Sequence, residues 1–182
     1  MFVPDYMFET VYDIPLTLLK EKGIRCLLLD IDNTLVPYDK AYPTAENARF
    51  IQTLSQNGIR TVFVSNNSEE RVKTYVDSLA EKCGVSSFAY AADAGKPSVK
   101  KYRALLASQQ VKPEEAATVG DQIFTDVLAA ARLGAHSFLV KPIKDVENNF
   151  FRFKRLLEKP FIRRYRRKNA RKAAKATDNR KG

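Results

Sequence analysis

The sequence predicts an α/β domain: a mainly parallel sheet with helices on both faces, forming a three-layer α/β/α sandwich. Three observations predict it. Short apolar runs recur at 26–29, 59–64, 117–119 and 137–140, as expected for strands buried on both faces. Between them lie stretches long enough for one helix each, with apolar residues at helical spacing. Strands and helices alternating at this length build a parallel sheet, and right-handed crossovers bring the carboxyl ends of its strands to one edge.

Residues 1–23 form an N-terminal segment that packs on the body through Phe2, Tyr6, Phe8, Val11 and Tyr12. A short helix follows, started by Asp13 and Pro15 and stopped by Gly23. After the strand at 26–29 and a loop bounded by Pro37 and Pro43, Thr44 caps a helix running to Asn57. Its buried side is expected to be Ala45, Ala48, Ile51 and Leu54, and Gly58 ends it. The strand at 59–64 runs into Ser65-Asn66-Asn67. Glu69 and Glu70 then open a helix striped by Val72, Tyr75, Val76 and Leu79, and their charge suits its N-terminal dipole.

A strand at 88–91 leads into Asp93-Ala94-Gly95-Lys96-Pro97. The next helix starts at Ser98, with Val99, Tyr102 and Leu106 facing inward. Pro113-Glu114-Glu115 marks a turn before the strand at 117–119, which ends in Gly120-Asp121. A helix with Val127, Leu128 and Ala131 inside closes at Gly134, and Pro142 leaves the last strand. The body is therefore 24–142, and 143–182 is an extension.

Composition separates these parts further. The chain has 182 residues, 45% of them hydrophobic, and a net charge of +10. Residues 151–182 hold fourteen Lys or Arg and two acids, a balance of +12, which leaves the rest at −2. Phe150, Phe151, Phe153, Leu156, Leu157, Phe161 and Ile162 interleave with those bases. Such a pattern suits an anionic membrane surface; nucleic acid would also attract it. The plain alternative is a fold-back of 150–157 followed by a solvated basic tail.

Cys26 and Cys83 have no metal or redox spacing and read as structural, consistent with a reducing compartment. His136, the only histidine, reads as structural too. No apolar run approaches the ~18 residues of a membrane span. The N-terminus carries Asp5, Glu9 and Asp13 without a basic region, unlike a secretory signal. A cytoplasmic protein is expected, with the basic extension able to lie peripherally on the inner face of the membrane.

Polar residues gather where strands end: Asp30 and Asp32, then Ser65, then Lys96, then Asp121 and Asp126. Ligands in open parallel sheets bind outside the carboxyl ends of the strands. Carboxylates there need a cation, a donor or water. Each group has a plainer reading alone: an Asx-rich turn at 30–34, a helix cap at Ser65, a solvated Lys96. Together they supply what phosphoryl transfer needs, namely a nucleophile, a proton shuttle, phosphate donors and anchors for Mg²⁺.

DIDNT, VFVSNN, GKP and VGDQIFTD, in that order, resemble the four motifs of the haloacid-dehalogenase (HAD) phosphohydrolases. The resemblance implies a Rossmann-like, HAD-like domain. It implies Asp30 as the nucleophile that becomes an aspartyl phosphate, and Asp32 as general acid and then base. Ser65, Asn66 and Lys96 would bind the substrate phosphate. Mg²⁺ would be held by Asp30, the backbone carbonyl of Asp32, and Asp121. Thr34 and Asp126 would support, Asp126 acting on Lys96 or a metal-bound water. Relatives that select small metabolites insert a cap domain after the first or second motif. Here the 35 positions from Asp30 to Ser65 and the 31 from Ser65 to Lys96 are used up by one helix and one strand each. No cap domain fits, so the site is expected to be open.

The segments VPDYMFETVYDI, KGIRCLLLDIDNTLV and VGDQIFTDVLAAARLGA resemble the capless subfamily IIIA group, which includes phosphatidylglycerophosphate phosphatases and bacterial YqeG proteins. That resemblance implies a phospholipid headgroup as substrate, converted to phosphatidylglycerol. The alternatives are a phosphatase of soluble phosphoesters or of a phosphorylated macromolecule, and an RNA or ribonucleoprotein-binding protein that keeps the fold.

Overall fold

The computed structural model describes residues 2–144 and 149–178. The described residues form a six-stranded, all-parallel sheet. In chain order its elements are β1 (Tyr6–Phe8), α1 (Leu16–Glu21), β2 (Cys26–Leu29), α2 (Ala45–Gln56), β3 (Arg60–Val64) and α3 (Glu69–Cys83). These are followed by β4 (Tyr90–Ala91), α4 (Lys100–Ser108), β5 (Ala116–Gly120), α5 (Leu128–Leu133), β6 (His136–Val140) and α6 (Asn149–Asp178). The sheet order is β1-β6-β5-β2-β3-β4. The chain runs outward from β2 to β4, then returns to β5 on the other side of β2. The carboxyl end of β2 is thus the topological switch point, where such sheets open a crevice.

The pleat divides the core. Leu27 and Leu29 of β2, Phe63 of β3 and Ala117 and Val119 of β5 face one layer, with Leu19, Ile51, Leu54, Tyr75 and Leu79 from α1, α2 and α3. Cys26, Leu28, Val62, Val64 and Ala116 face the other, with Tyr102, Leu106, Ala129 and Leu133 from α4 and α5. Alternate strand residues point to opposite faces, so a continuous apolar run serves both layers. Among the described residues no cap domain interrupts the sheet: α2 and α3 are the only helices between the first three motif-bearing strand ends.

The helical faces differ from expectation at two places, each for a local reason. Ala45 is exposed and Asn47 is buried. Asn47 and Thr44 cap α2 reciprocally, at 2.8 and 3.1 Å. The Asn47 amide also donates to Tyr12 Oη and to the Leu35 carbonyl, which satisfies it inside the core. Ala131 is likewise exposed, with Ala129, Ala130 and Leu133 inside. A π-helical turn at Ile123–Val127 precedes α5. Its wider turn rotates the following face away from simple α spacing.

The extension docks on the body around residues 158–165. Phe161 and Ile162 pack on Ile123, Val127 and Leu139 together with Phe2 and Met7. The Met7 N–H donates to Tyr165 Oη at 3.1 Å. Leu156 and Leu157, expected within a fold-back, are 56% and 45% exposed. The side chains of Phe150, Phe151 and Phe153 fall outside the described residues.

Candidate active site

Asp30 directly follows β2 at the centre of the sheet, and its N–H still bonds the Val119 carbonyl of β5 at 2.9 Å. Ser65 follows β3, Lys96 follows β4, and Asp121 follows β5. The four come together because their strands are neighbours in register. They are buried, with Asp30, Ser65, Lys96 and Asp121 exposed by 6, 1, 9 and 1%.

Lys96 Nζ donates to Asp30 Oδ1 at 2.6 Å and to Asp126 Oδ1 at 2.8 Å. Burial works against its charge, but Asp126 and Asp30 outweigh burial and raise the ammonium well above the usual lysine range. The Thr34 hydroxyl donates to Asp30 Oδ2 at 3.3 Å. Burial pushes Asp30 well above the ordinary carboxylate range; Lys96 opposes this, while Asp126 and Asp121 add to it. Carboxylate oxygens of Asp30, Asp121 and Asp126 lie within 4.8 Å of one another.

Asp32 points into a different set of partners. It accepts from Ser65 Oγ at 3.2 Å, from Asn67 Nδ2 at 3.4 Å and from an Arg71 guanidinium nitrogen at 2.9 Å. Asn66, expected to touch phosphate, clamps the Lys96 backbone: its Oδ1 accepts the Lys96 N–H at 2.7 Å. Asp126 is held from below, accepting from the Gln122 N–H at 3.2 Å and Thr125 Oγ1 at 3.1 Å. Gly120 makes room for it, because a β-carbon there would stand 2.2 Å from Asp126 Cγ.

A cleft of about 310 Å³ opens over this floor, lined by Asp30, Asp32, Ser65, Asn66 and Lys96, with Tyr38 among the residues around it. Partial burial, then Asp30, Asp121 and Asp32, push the Tyr38 phenol up to about 12, so it stays a neutral O–H donor at neutral pH. No motif or spacing in the sequence assigns Arg71, Asn67 or Tyr38 to the site. Asn33, within the Asx-rich turn expected at 30–34, takes a left-handed φ of 64°. The Asn33 amide bonds the Lys144 backbone twice, at 2.8 and 3.1 Å. An Asn in the first motif was a signal for that turn, since Asn tolerates positive φ.

A family model described as Mitochondrial PGP phosphatase matches residues 1–144 of this chain. The chain belongs to this family. It is 32% identical over 167 residues to the Bacillus subtilis (strain 168) protein named "Probable phosphatase YqeG", covering 92% of this chain and 93% of that one. Among solved structures it is similar to the 3-deoxy-D-manno-octulosonate 8-phosphate phosphatase of Yersinia pestis. The TM-score is 0.52 at 17% identity, over 74% of this chain and 83% of that one. A protein of Porphyromonas gingivalis described as a predicted HAD-like family hydrolase matches with a TM-score of 0.51 at 15% identity, over 72% and 98% of the two chains. At these identities the structural matches speak for the fold alone. The chain is accordingly a phosphatase of the PGP phosphatase family, built on a HAD-like, Rossmann-like fold with no cap domain among the described residues.

Proposed function

We propose that the chain is a Mg²⁺-dependent phosphomonoesterase that works through an aspartyl phosphate on Asp30 and dephosphorylates phosphatidylglycerophosphate. The observation that carries this reading is Asp30 on the floor of an open cleft, with Lys96 Nζ 2.6 Å away and Asp32 turned toward Ser65. An Asp30 oxygen attacks phosphorus, and the bond to the leaving oxygen breaks. Asp32 gives that oxygen a proton, then takes one from the water that attacks phosphorus in the second half. Lys96 uses two of its three N–H groups on Asp30 and Asp126, leaving one for a phosphate oxygen. Ser65 has one hydroxyl proton, which it donates in a hydrogen bond to Asp32 and would turn to the phosphate.

The donor set fits Mg²⁺. Three buried carboxylates face one buried ammonium, so the floor carries excess negative charge, and its oxygen-only ligands suit a hard cation. Asp30 and Asp121 would hold the ion with the Asp32 carbonyl, and Asp126 would support Lys96. The ion would offset repulsion between the Asp30 carboxylate and an anionic phosphate.

The open edge and α6 support a lipid substrate presented at a surface. No helix among the described residues is long and apolar enough to cross a membrane. On α6, Glu158, Phe161, Ile162 and Tyr165 face the body, while Arg163, Arg164, Arg166, Arg167 and Lys168 are exposed beside Leu156 and Leu157. Near an anionic bilayer each base contributes about 1 kcal/mol, so these five supply about 5 kcal/mol. Docking of α6 on the body lowers the ordering cost that a free tail would carry. On this reading the protein lies peripherally on a membrane surface.

The test is phosphate release from a panel: phosphatidylglycerophosphate in anionic liposomes, soluble phosphomonoesters, and an aryl phosphate, each with Mg²⁺ or chelator. Hydrolysis of all with Mg²⁺, none in chelator, and strong preference for the lipid is expected. Preference for a soluble phosphoester removes the lipid reading; full activity in chelator removes the metal.

A further inference from the structure

We propose that Glu158 is a positioning residue for the phosphatase site: from α6 its buried carboxylate holds the turn that follows Asp121 and carries Asp126. Glu158 is 2% exposed, and its Oε1 accepts the Ile123 N–H at 2.8 Å across 35 residues of chain. Ile123 opens the π-helical turn Ile123–Val127. The first N–H groups of any helix lack partners within it, and their dipoles favour an anion. Two carboxylates meet that need here. Asp126 Oδ2 accepts the Gln122 N–H from within the turn, and Glu158 accepts the next N–H from α6.

The rings of Phe2, Phe124 and Phe161 close around the same turn, with centroids 5.2 to 6.0 Å apart. Ile162 adds to the apolar cluster of Ile123, Val127 and Leu139. Docking alone would be served by an apolar residue at 158, because a carboxylate buried without a donor is unfavourable. The acid sits in a segment with fourteen bases and one other acid, Asp178. Buried at this point, its Oε1 on the Ile123 N–H ties α6 to the start of the turn. A π-helical turn is a rare geometry associated with functional sites and needs outside support. Movement of this turn would carry Asp126 away from Lys96 and displace Asp121, so α6 is part of the site's scaffold.

The inference rests on the reading of Asp121 as a metal ligand, and the experiment separates the two. Full-length wild type, Glu158→Ala, Glu158→Asp and Glu158→Gln are compared by calorimetric Mg²⁺ binding and by exchange of the Ile123 amide in metal-free protein. Asp121→Ala is the control. Loss of a supporting hydrogen bond lowers metal affinity on the order of 10-fold. The Ala and Asp variants should therefore bind Mg²⁺ about 10-fold more weakly and exchange Ile123 faster. The Asp variant keeps the charge but is too short to reach. The Gln variant keeps the acceptor and should stay near wild type in both readouts. Wild-type Mg²⁺ affinity or wild-type exchange in both Ala and Asp variants overturns the proposal, as does a Gln variant no better than Ala. If Asp121→Ala itself binds Mg²⁺ as wild type does, the metal assignment fails and the inference falls with it.

Discussion

The carboxylate of Asp126 rests against the bare α-carbon of Gly120, where an added β-carbon would stand 2.2 Å from Asp126 Cγ. The neighbour is fixed rather than free to swing: Asp126 is 2% exposed and is held by Lys96, Gln122 and Thr125. Gly120→Ala should therefore cost about 1–3 kcal/mol of stability, the usual range for overpacking. It should also lower turnover of an aryl phosphate, because Asp126 and Asp30 share the Lys96 ammonium. Thermal melts and initial rates on one preparation check both. Unchanged rates would show that the Asp126–Lys96 contact is dispensable.

Arg71 pairs with Asp32 at 2.9 Å and also reaches the Lys40 carbonyl. One guanidinium nitrogen serves both acceptors, held in a planar group whose geometry a flexible ammonium does not reproduce. Arg71→Ala frees the Asp32 carboxylate from one charge-assisted bond, worth about 1.5–3 kcal/mol. If orientation of Asp32 limits the proton transfer, kcat should fall by about 10- to 100-fold, the same energy expressed as a rate. Arg71→Lys should restore only part of it. Steady-state kinetics on a soluble substrate reads this directly; a kcat equal to wild type in Arg71→Ala would remove Arg71 from the account.

The outward arginines of α6 make a cleaner test of surface binding than truncation. Deleting the helix from Lys159 onward would also remove Phe161, Ile162 and Tyr165, which pack on the body. Arg163→Gln, Arg164→Gln and Arg167→Gln together should weaken binding to anionic vesicles by about 3 kcal/mol, at about 1 kcal/mol per charge. Hydrolysis of a soluble aryl phosphate should hold. Co-sedimentation at rising salt measures the first, since salt screens exposed charges. Equal sedimentation of triple variant and wild type would make the basic face a bystander to membranes.

Much of the sheet and of the cleft floor was legible in the sequence, because buried strands announce themselves as apolar runs and their ends as sudden polar residues. Asp30, Ser65, Lys96 and Asp121 could be seen that way. Arg71 could not, since one more charged residue on the first turn of an exposed helix carries no period or spacing. The inward face of α5 was misread at Ala131 because the π-helical turn before it breaks the 3.6-residue count. Asn47 was missed for the opposite reason: a polar residue joined the core because Tyr12 and Leu35, distant in sequence, supply its partners. Glu158 was hidden among arginines and lysines, and its partner Ile123 lies 35 residues away. Local pattern reads periodic burial well and reads single long-range polar contacts poorly.

The central claim is that Asp30 attacks phosphorus, and Asp30→Asn tests it most directly. The amide keeps the size of the side chain but cannot form an aspartyl phosphate. The measurement is release of inorganic phosphate from an aryl phosphate with Mg²⁺ by the purified, folded variant. The account predicts no turnover above background, with a circular-dichroism spectrum matching wild type. Sustained hydrolysis by Asp30→Asn at the wild-type rate would contradict it.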